Sequence, residues 1–265
     1  MDVSGKGVFL TGGARGIGRG MTEALLAKGA KVLFCDLAAD LGKAAEADLQ
    51  KQYGADNVVF RQYDVADGDQ LKAAFEAAVS KFGAVDICVN NAGIMDERVW
   101  EKMLAINTTA QIRGSQLALD HMRRDRGGRG GIIVNTVSMA GLSPVYFFPL
   151  YTASKHAMIG FTTSWAKNPK AGEMGVRWYC LCPGAVNTNL LVFEENQVHD
   201  VDTLMESSKL SMLEPEEVVD AFMKLFQEKK DGDGAIYAVV KGRGGVFRKR
   251  RLVDADGESN PTLVD

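Results

Sequence analysis

Long apolar runs are missing from this chain. The opening stretch MDVSGKGVFLTGG holds only VFL before a glycine turn, far less than the ~7–15 apolar residues of a secretory leader or the ~20 of a membrane span. Neither is expected, and a cytoplasmic location is. Charge of one sign is also scarce. A formal net charge of -3 gives no general attraction to nucleic acid or to an anionic membrane surface. Cysteine is sparse and unpaired in sequence: Cys35, Cys88, Cys180 and Cys182 lie inside apolar strand-like runs, with no C-x-x-C spacing of a metal site. Buried, reduced thiols and no metal are expected. No short-period repeat is present, and small molecules are the expected partners.

What is present is enough apolar residue for one large core, 46% of 265 residues, and α/β chains of this size often remain undivided. Apolar runs rich in β-branched residues alternate with helix-period segments. The strand candidates are 6–11, 30–36, 57–63, 84–90, 130–138, 175–182 and 234–240. Their near-continuous apolar character suits parallel strands buried on both faces. Helical stretches lie between them, such as RGMTEALLAKG closed by Gly29 and DQLKAAFEAAVSKFG closed by Gly83. The pattern predicts an α/β fold: a doubly wound, mostly parallel seven-stranded sheet with helices on both faces, of Rossmann type, in a single domain over 1–241. Residues 189–213 interrupt the alternation and form a candidate lid. Residues 242–265 read as a polar, loosely ordered tail, whose RKRR run is a solvated charge cluster before it is a localisation signal.

TGGARGIG, residues 11–18, follows the first strand and opens the first helix. Glycines at this junction allow a tight turn and close backbone approach to a pyrophosphate seated on the helix N-terminus, the arrangement of a dinucleotide site. Asp36 ends the second strand, where a carboxylate accepts hydrogen bonds from ribose hydroxyls and repels a 2'-phosphate, which favours NAD over NADP. An ordinary polar strand end is the plain alternative. Arg15 pulls toward NADP, but a cation on a turn can swing into water while Asp36 acts at close range. Asp64, followed by Val65, could bond the adenine amine or simply form a turn.

In YTASKHAMIGF, residues 151–161, Tyr151 and Lys155 stand four apart and share a helix face. A nearby ammonium favours the phenolate, so the phenol, ordinarily near pKa ~10, is expected to move down toward working pH. Ser138, at the end of the fifth strand, is placed to hold the same substrate oxygen. Each has a bland alternative: a strand-end cap for Ser138, a packing residue for Tyr151, a solvated position for Lys155. Their convergence on one oxygen favours catalysis. His156 is rotated about 100° from Lys155 on the helix and reads as structural.

TGGARGIG, NNAG at 90–93, Asn107, Ser138, YTASK and PGAVNT at 183–188 occur in an order that closely resembles the short-chain dehydrogenase/reductase family. GIGRG, residues 23–32, DVAD, WEKMLAIN, YTASKHAMIGFT and CPGAVNT resemble the NAD-using branch that oxidises hydroxylated lipids of the prostaglandin type. The resemblance implies catalytic roles for Asn107, Ser138, Tyr151 and Lys155, with Asn107 holding a water that relays protons through Lys155, and Lys155 also holding the nicotinamide ribose. Cofactor contacts are expected from Gly12, Gly16, Ile17, Gly18, Asp36, Leu37, Asp64, Val65, Asn91, Tyr151, Lys155, Val186 and Thr188, and substrate contacts from Ser138, Phe148 and Tyr151. Members of that branch carry a glutamine three positions before the catalytic tyrosine; here Phe148 replaces it and removes a donor from the substrate hydroxyl. Met139, Leu142, Val145, Phe147 and Phe148, with Leu190, Leu191, Val192, Phe193, Leu204 and Met205 from the lid, give an apolar lining suited to a lipid-like alcohol, or simply pack the lid down.

The expectation is therefore oxidation of a hydrophobic secondary alcohol by NAD: a prostaglandin-like lipid, hydroxy fatty acid, steroid or terpenoid. The alternatives are an NADPH-dependent carbonyl reductase and a non-catalytic NAD-binding regulator. The family also implies a homodimer, and Pro169 should end the Tyr151 helix and so alter the interface.

Overall fold

The computed structural model describes residues 1–194, 196–208, 211–227 and 236–248. Seven strands form on the seven apolar runs: β1 Gly7–Thr11, β2 Lys31–Asp36, β3 Val58–Gln62, β4 Ile87–Asn90, β5 Gly131–Thr136, β6 Val176–Pro183 and β7 Ile236–Val240. Residues 234 and 235 of the seventh run lie outside the described residues. Each of these strands pairs in parallel with its neighbours among the seven. β1 lies between β2 and β4, so the chain winds away in opposite directions from its C-terminal end and opens a crevice there.

The expected count of seven strands is corrected to eight among the described residues. Residues Gly244–Arg248, read as part of the loose tail, form β8 and pair antiparallel with β7, Val240 opposite Gly244 and Ile236 opposite Arg248. The glycines that gave the segment its loop-like composition make the hairpin: Gly242 and Gly244 sit at φ 72 and 63, where a left-handed turn needs them. Gly245 leaves room for Tyr237, whose ring would lie 2.1 Å from a Cβ there, and Phe247 packs edge-on to the same ring at 4.7 Å. The rest of the tail, including most of the RKRR run, lies outside the described residues.

Helices cover both faces: α1 Gly16–Ala27, α2 Ala39–Tyr53, α3 Gly68–Phe82, α4 Trp100–Leu104, α5 Gln111–Met122, α6 Pro149–Ala166, α7 Ala171–Met174, α8 Val201–Ser208 and α9 Pro215–Leu225. The two-residue period of β1 decides which core each side chain joins. Val8 and Leu10 pack with Met21, Leu25, Leu49 and Phe222 of α1, α2 and α9, while Phe9 turns to Leu71, Phe75 and Leu119 of α3 and α5. Each such side chain contributes roughly 1.5–3 kcal/mol of burial. Local signals mark the helix ends. The Asp67 side chain accepts from the N–H groups of Asp69 and Gln70, and Gly83 stops α3 at φ 78. α6 stops at Ala166, just before Pro169. All four cysteines are free and buried, and no described helix is long and apolar enough to cross a membrane.

Residues 189–213 include a 3₁₀ turn, Asn189–Leu191, and α8. Val198 and Leu204 are buried against Met95, Met103, Phe147, Phe148 and Tyr151, with Leu191 and Phe193 partly covered beside them. Leu190 and Val192 are 39% and 73% exposed, so two of the apolar residues expected to line the site stay in solvent.

Candidate active site

The glycine turn is a place where backbone meets backbone. Gly12 has φ 70, and a Cβ on it would lie 2.9 Å from the Ala92 Cα; at Gly18 a Cβ would lie 1.9 Å from the Gly12 carbonyl oxygen. Only glycine permits that approach. The turn after β4 is tied to it: the Thr11 hydroxyl accepts from the N–H groups of Asn91 and Ala92, both at 3.0 Å, and Asn91 Nδ2 donates to the Gly12 carbonyl at 3.1 Å. α1 starts with no side-chain cap and no acidic residue in its first turn, which leaves its N–H groups and positive dipole end open to an anion. Thr188 reaches the same turn, its methyl 3.6 Å from where a Gly16 Cβ would be. Val186 is buried beside it and bridges to Leu213.

Asp36 is fixed between the turn and the start of α2, Oδ2 accepting from Ala14 N–H at 3.1 Å and Oδ1 from Ala38 N–H at 3.0 Å. Leu37 beside it is exposed, as is Arg15. Asp64 forms the turn that was its plainer reading, Oδ1 accepting from Ala66 N–H at 2.9 Å. Val65 and Ile17 belong to the packing under this end, Val65 in the core of α3 and α5 and Ile17 against the opposite core.

At the other end of the crevice, α4 and α5 are joined through a π turn, Ala105–Ala110, a distortion that recurs at functional sites. Asn107 sits in it, fully buried. Its Oδ1 accepts from Ile94 N–H at 2.9 Å, while Nδ2 donates to the Ile94 carbonyl at 2.9 Å and to Ser154 Oγ at 3.2 Å. Both amide hydrogens are thereby engaged, so the expected water relay cannot use them as donors; the side chain holds the loop after β4. Gly93 of that loop brings the pieces together, because a Cβ on it would lie 3.2 Å from Asn107 Oδ1 and 3.6 Å from Lys155 Nζ.

Tyr151 and Lys155 do share a face of α6 and are both buried. Lys155 Nζ donates to the Thr136 carbonyl at 3.1 Å and lies 5.4 Å from the centre of the Tyr151 ring. Ser138 ends the loop after β5, accepts from Ala140 N–H at 3.1 Å and lies near enough to the Tyr151 phenol to favour its ionised form. The expected lowering of the phenol pKa is overturned. Burial pushes Tyr151 up to about 12, with Ser138 acting against it and the Cys182 thiol adding to it. Burial likewise brings Lys155 down to about 8, opposed by Cys182. In this structure desolvation is the largest influence on both groups. His156 bonds the Thr152 carbonyl one turn back, Nδ1 to O 3.0 Å, a structural placement.

The surroundings of Tyr151 are apolar. Phe148 is buried and stands edge-on to Tyr151, with ring centres 5.5 Å apart at 89°, within the cluster of Met95, Met103, Phe147, Val198 and Leu204. Several contributors were not legible as site residues. Thr11 stood inside the glycine motif but reads there as a strand end. Thr136 acts through a carbonyl, which no sequence pattern reports. Glu97 accepts from the N–H groups of Leu150 and Tyr151, both at 2.9 Å, yet lies in a run, DER, that reads as solvated charge.

A doubly wound sheet with a glycine turn, a buried tyrosine and lysine one helical turn apart, and a serine near the same phenol define the class. The chain belongs to the short chain dehydrogenase family, whose model matches residues 6–199. Among individual relatives, it is 41% identical over 251 residues to the human 15-hydroxyprostaglandin dehydrogenase [NAD(+)], covering 92% of this chain and 94% of that one. The mouse protein of the same name is 40% identical and covers 100% of this chain and 98% of its own. A 3beta-hydroxysteroid dehydrogenase 2 from Eggerthella lenta is 35% identical, over 71% of this chain and 74% of its own. The crystal structure of a short chain dehydrogenase/reductase from Burkholderia phymatum in complex with NAD has the same fold, with TM-score 0.74, 23% identity, and coverage of 86% of this chain and 87% of that one.

Proposed function

We propose that the protein oxidises a hydrophobic secondary alcohol to its ketone with NAD, acting in the metabolism of prostaglandins or of hydroxy fatty acids and related lipids. One observation carries the reading: a buried phenol, near Ser138 and one turn from Lys155, lies within an apolar cluster. The residues present fit the cofactor. The uncapped start of α1 and the glycine turn suit a pyrophosphate, and the Asp36 carboxylate beside Ala14 suits ribose hydroxyls and opposes a 2'-phosphate. Gly12, Gly16, Gly18, Asn91, Val186 and Thr188 surround the same turn, and Lys155 would hold the nicotinamide ribose.

When bound, the nicotinamide supplies the acceptor for hydride from the carbinol carbon. Ser138 donates a hydrogen bond to the alcohol oxygen and steadies its developing charge. Tyr151 takes the hydroxyl proton when it is a phenolate, the form that its burial disfavours and a neighbouring ammonium favours. Lys155, brought by burial to about 8, holds a proton near neutral pH and as ammonium stabilises the phenolate, an attraction strengthened by the same desolvation. Homodimerisation and a cytoplasmic location belong to the proposal and rest on family membership.

The test follows nicotinamide absorbance with NAD and with NADP against prostaglandins, hydroxy fatty acids and steroid alcohols. NAD is expected to be preferred, and Tyr151→Phe to lower kcat by at least about 100-fold while NAD affinity stays within about twofold. Preference for NADP would reverse the cofactor assignment. Absence of turnover with every alcohol and the matching ketones would move the reading to a nucleotide-binding regulator.

A further inference from the structure

α6 carries the proposed base but starts without a local cap. Its N-cap is Phe148, with no side-chain acceptor, Pro149 offers no N–H, and the first turn has no acidic residue. The acceptor comes from a distant part of the chain. Glu97 Oε2 takes the N–H of Leu150 and Oε1 that of Tyr151, both at 2.9 Å. One carboxylate thus makes two charge-assisted bonds at the positive end of the helix dipole, and the second is to the backbone of the base itself.

Glu97 is in turn held from the other side. Its own N–H donates to the Gln197 carbonyl at 2.9 Å, Gln197 Nε2 donates to the Met95 carbonyl at 2.7 Å, and Arg98 spans Asp96 and Glu194 at 2.8 and 3.0 Å. His199 N–H donates to the Phe147 carbonyl at 2.8 Å. Residues 194 and 197–199 therefore brace the loop that braces Tyr151, on the rim of the apolar cluster.

We propose that Glu97 is a positioning residue: it sets the first turn of α6 so that the Tyr151 phenol meets the substrate oxygen. The inference rests on reading Tyr151 as the proton acceptor. A base displaced by an ångström costs on the order of 100-fold in rate without altering how the cofactor or the alcohol binds, which gives Glu97 a signature that general support of the fold lacks.

The experiment compares wild type, Glu97→Gln and Tyr151→Phe with NAD and the best alcohol of the panel, measuring kcat, KM, NAD affinity by fluorescence titration and melting temperature. Glu97→Gln is isosteric: its oxygen accepts one N–H, while its NH₂ opposes the other. A fall in kcat of at least tenfold, with KM and NAD affinity within threefold of wild type and a cooperative melt, supports the proposal. A wild-type kcat in Glu97→Gln, with Tyr151→Phe inactive, overturns it and leaves the role of Tyr151 standing. Parallel losses of kcat, NAD affinity and melting temperature overturn it in favour of plain structural support. Full activity in Tyr151→Phe removes the reading and the inference together.

Discussion

At the cofactor end of the crevice, main chain touches main chain: Gly18 lies under the Gly12 carbonyl, and Thr11 and Asn91 stitch the turn after β1 to the turn after β4. Around Tyr151, the proposed substrate end, the contacts are between side chains drawn from the loop after β4, α4, residues 147–151 and the segment before and within α8. The first end tolerates almost no added atom. The second is a set of apolar surfaces that can exchange one shape for another at modest cost. A cofactor shared by many enzymes suits the rigid end, and a substrate peculiar to one enzyme suits the adaptable end.

The largest expected effect breaks the rigid end. In Gly18→Ala the new Cβ would sit 1.9 Å from the Gly12 oxygen, so the turn must open, and NAD affinity is expected to fall by about 100-fold, roughly 2.7 kcal/mol, with the helical circular dichroism kept. Fluorescence titration with NAD checks this, and wild-type affinity would show that the close approach is not what builds the site.

Next comes Lys155, at the boundary of the two regions. Its pKa of about 8 against the ordinary 10.5 means that the charged form is disfavoured by burial, on the order of 3 kcal/mol at pH 7. Between those two values the unfolded chain holds a proton that the folded chain has released, so wild-type stability should rise with pH across that window. Tyr151 acts oppositely and only at higher pH: its folded pKa of about 12 against 10.0 means stability falls above about pH 10. Lys155→Met should remove the rise between pH 8 and 9.5 and stabilise the folded chain at pH 7 by about 2 kcal/mol, after losing the bond to Thr136, while abolishing turnover. Urea denaturation of both proteins from pH 7 to 9.5 gives the answer; parallel curves would place the lysine charge elsewhere.

The smallest effect probes the adaptable end. Phe148→Gln puts an amide where the prostaglandin-oxidising branch carries one, beside the Tyr151 ring. A gain of about tenfold in kcat/KM on a prostaglandin alcohol, roughly 1.4 kcal/mol, is expected, with a loss on alcohols lacking polar neighbours. An unchanged ratio between the two substrates would mean that position 148 does not set preference.

Much of this was readable before any fold was known. The seven parallel strands are runs of apolar, mostly β-branched residues, and such runs have few other ways to bury both faces. The glycine turn and Asp36 were legible as candidates because a dinucleotide site would depend on residue type at fixed spacing along one short segment. Tyr151 and Lys155 were legible because a helix places residues four apart on one face. Less legible was Gly244–Arg248: composition reports that glycines permit a turn, whereas pairing with β7 depends on an open sheet edge and on the Tyr237 and Phe247 rings. The direction of the tyrosine pKa shift was misjudged for a similar reason. Proximity of an ammonium follows from helix spacing, but the depth of burial that outweighs it follows from everything packed around α6.

By itself the sequence determined the order of strands and helices, the turn that suits a dinucleotide and the pair of residues on α6, since each is set by interactions within a few residues of chain. Tertiary structure alone decided that Glu97 caps the helix of Tyr151, that both amide hydrogens of Asn107 are committed to Ile94 and Ser154, and that the phenol and ammonium are desolvated. Those depend on which distant segments meet, and hydrogen bonding and burial act on distance in space, whatever the separation along the chain.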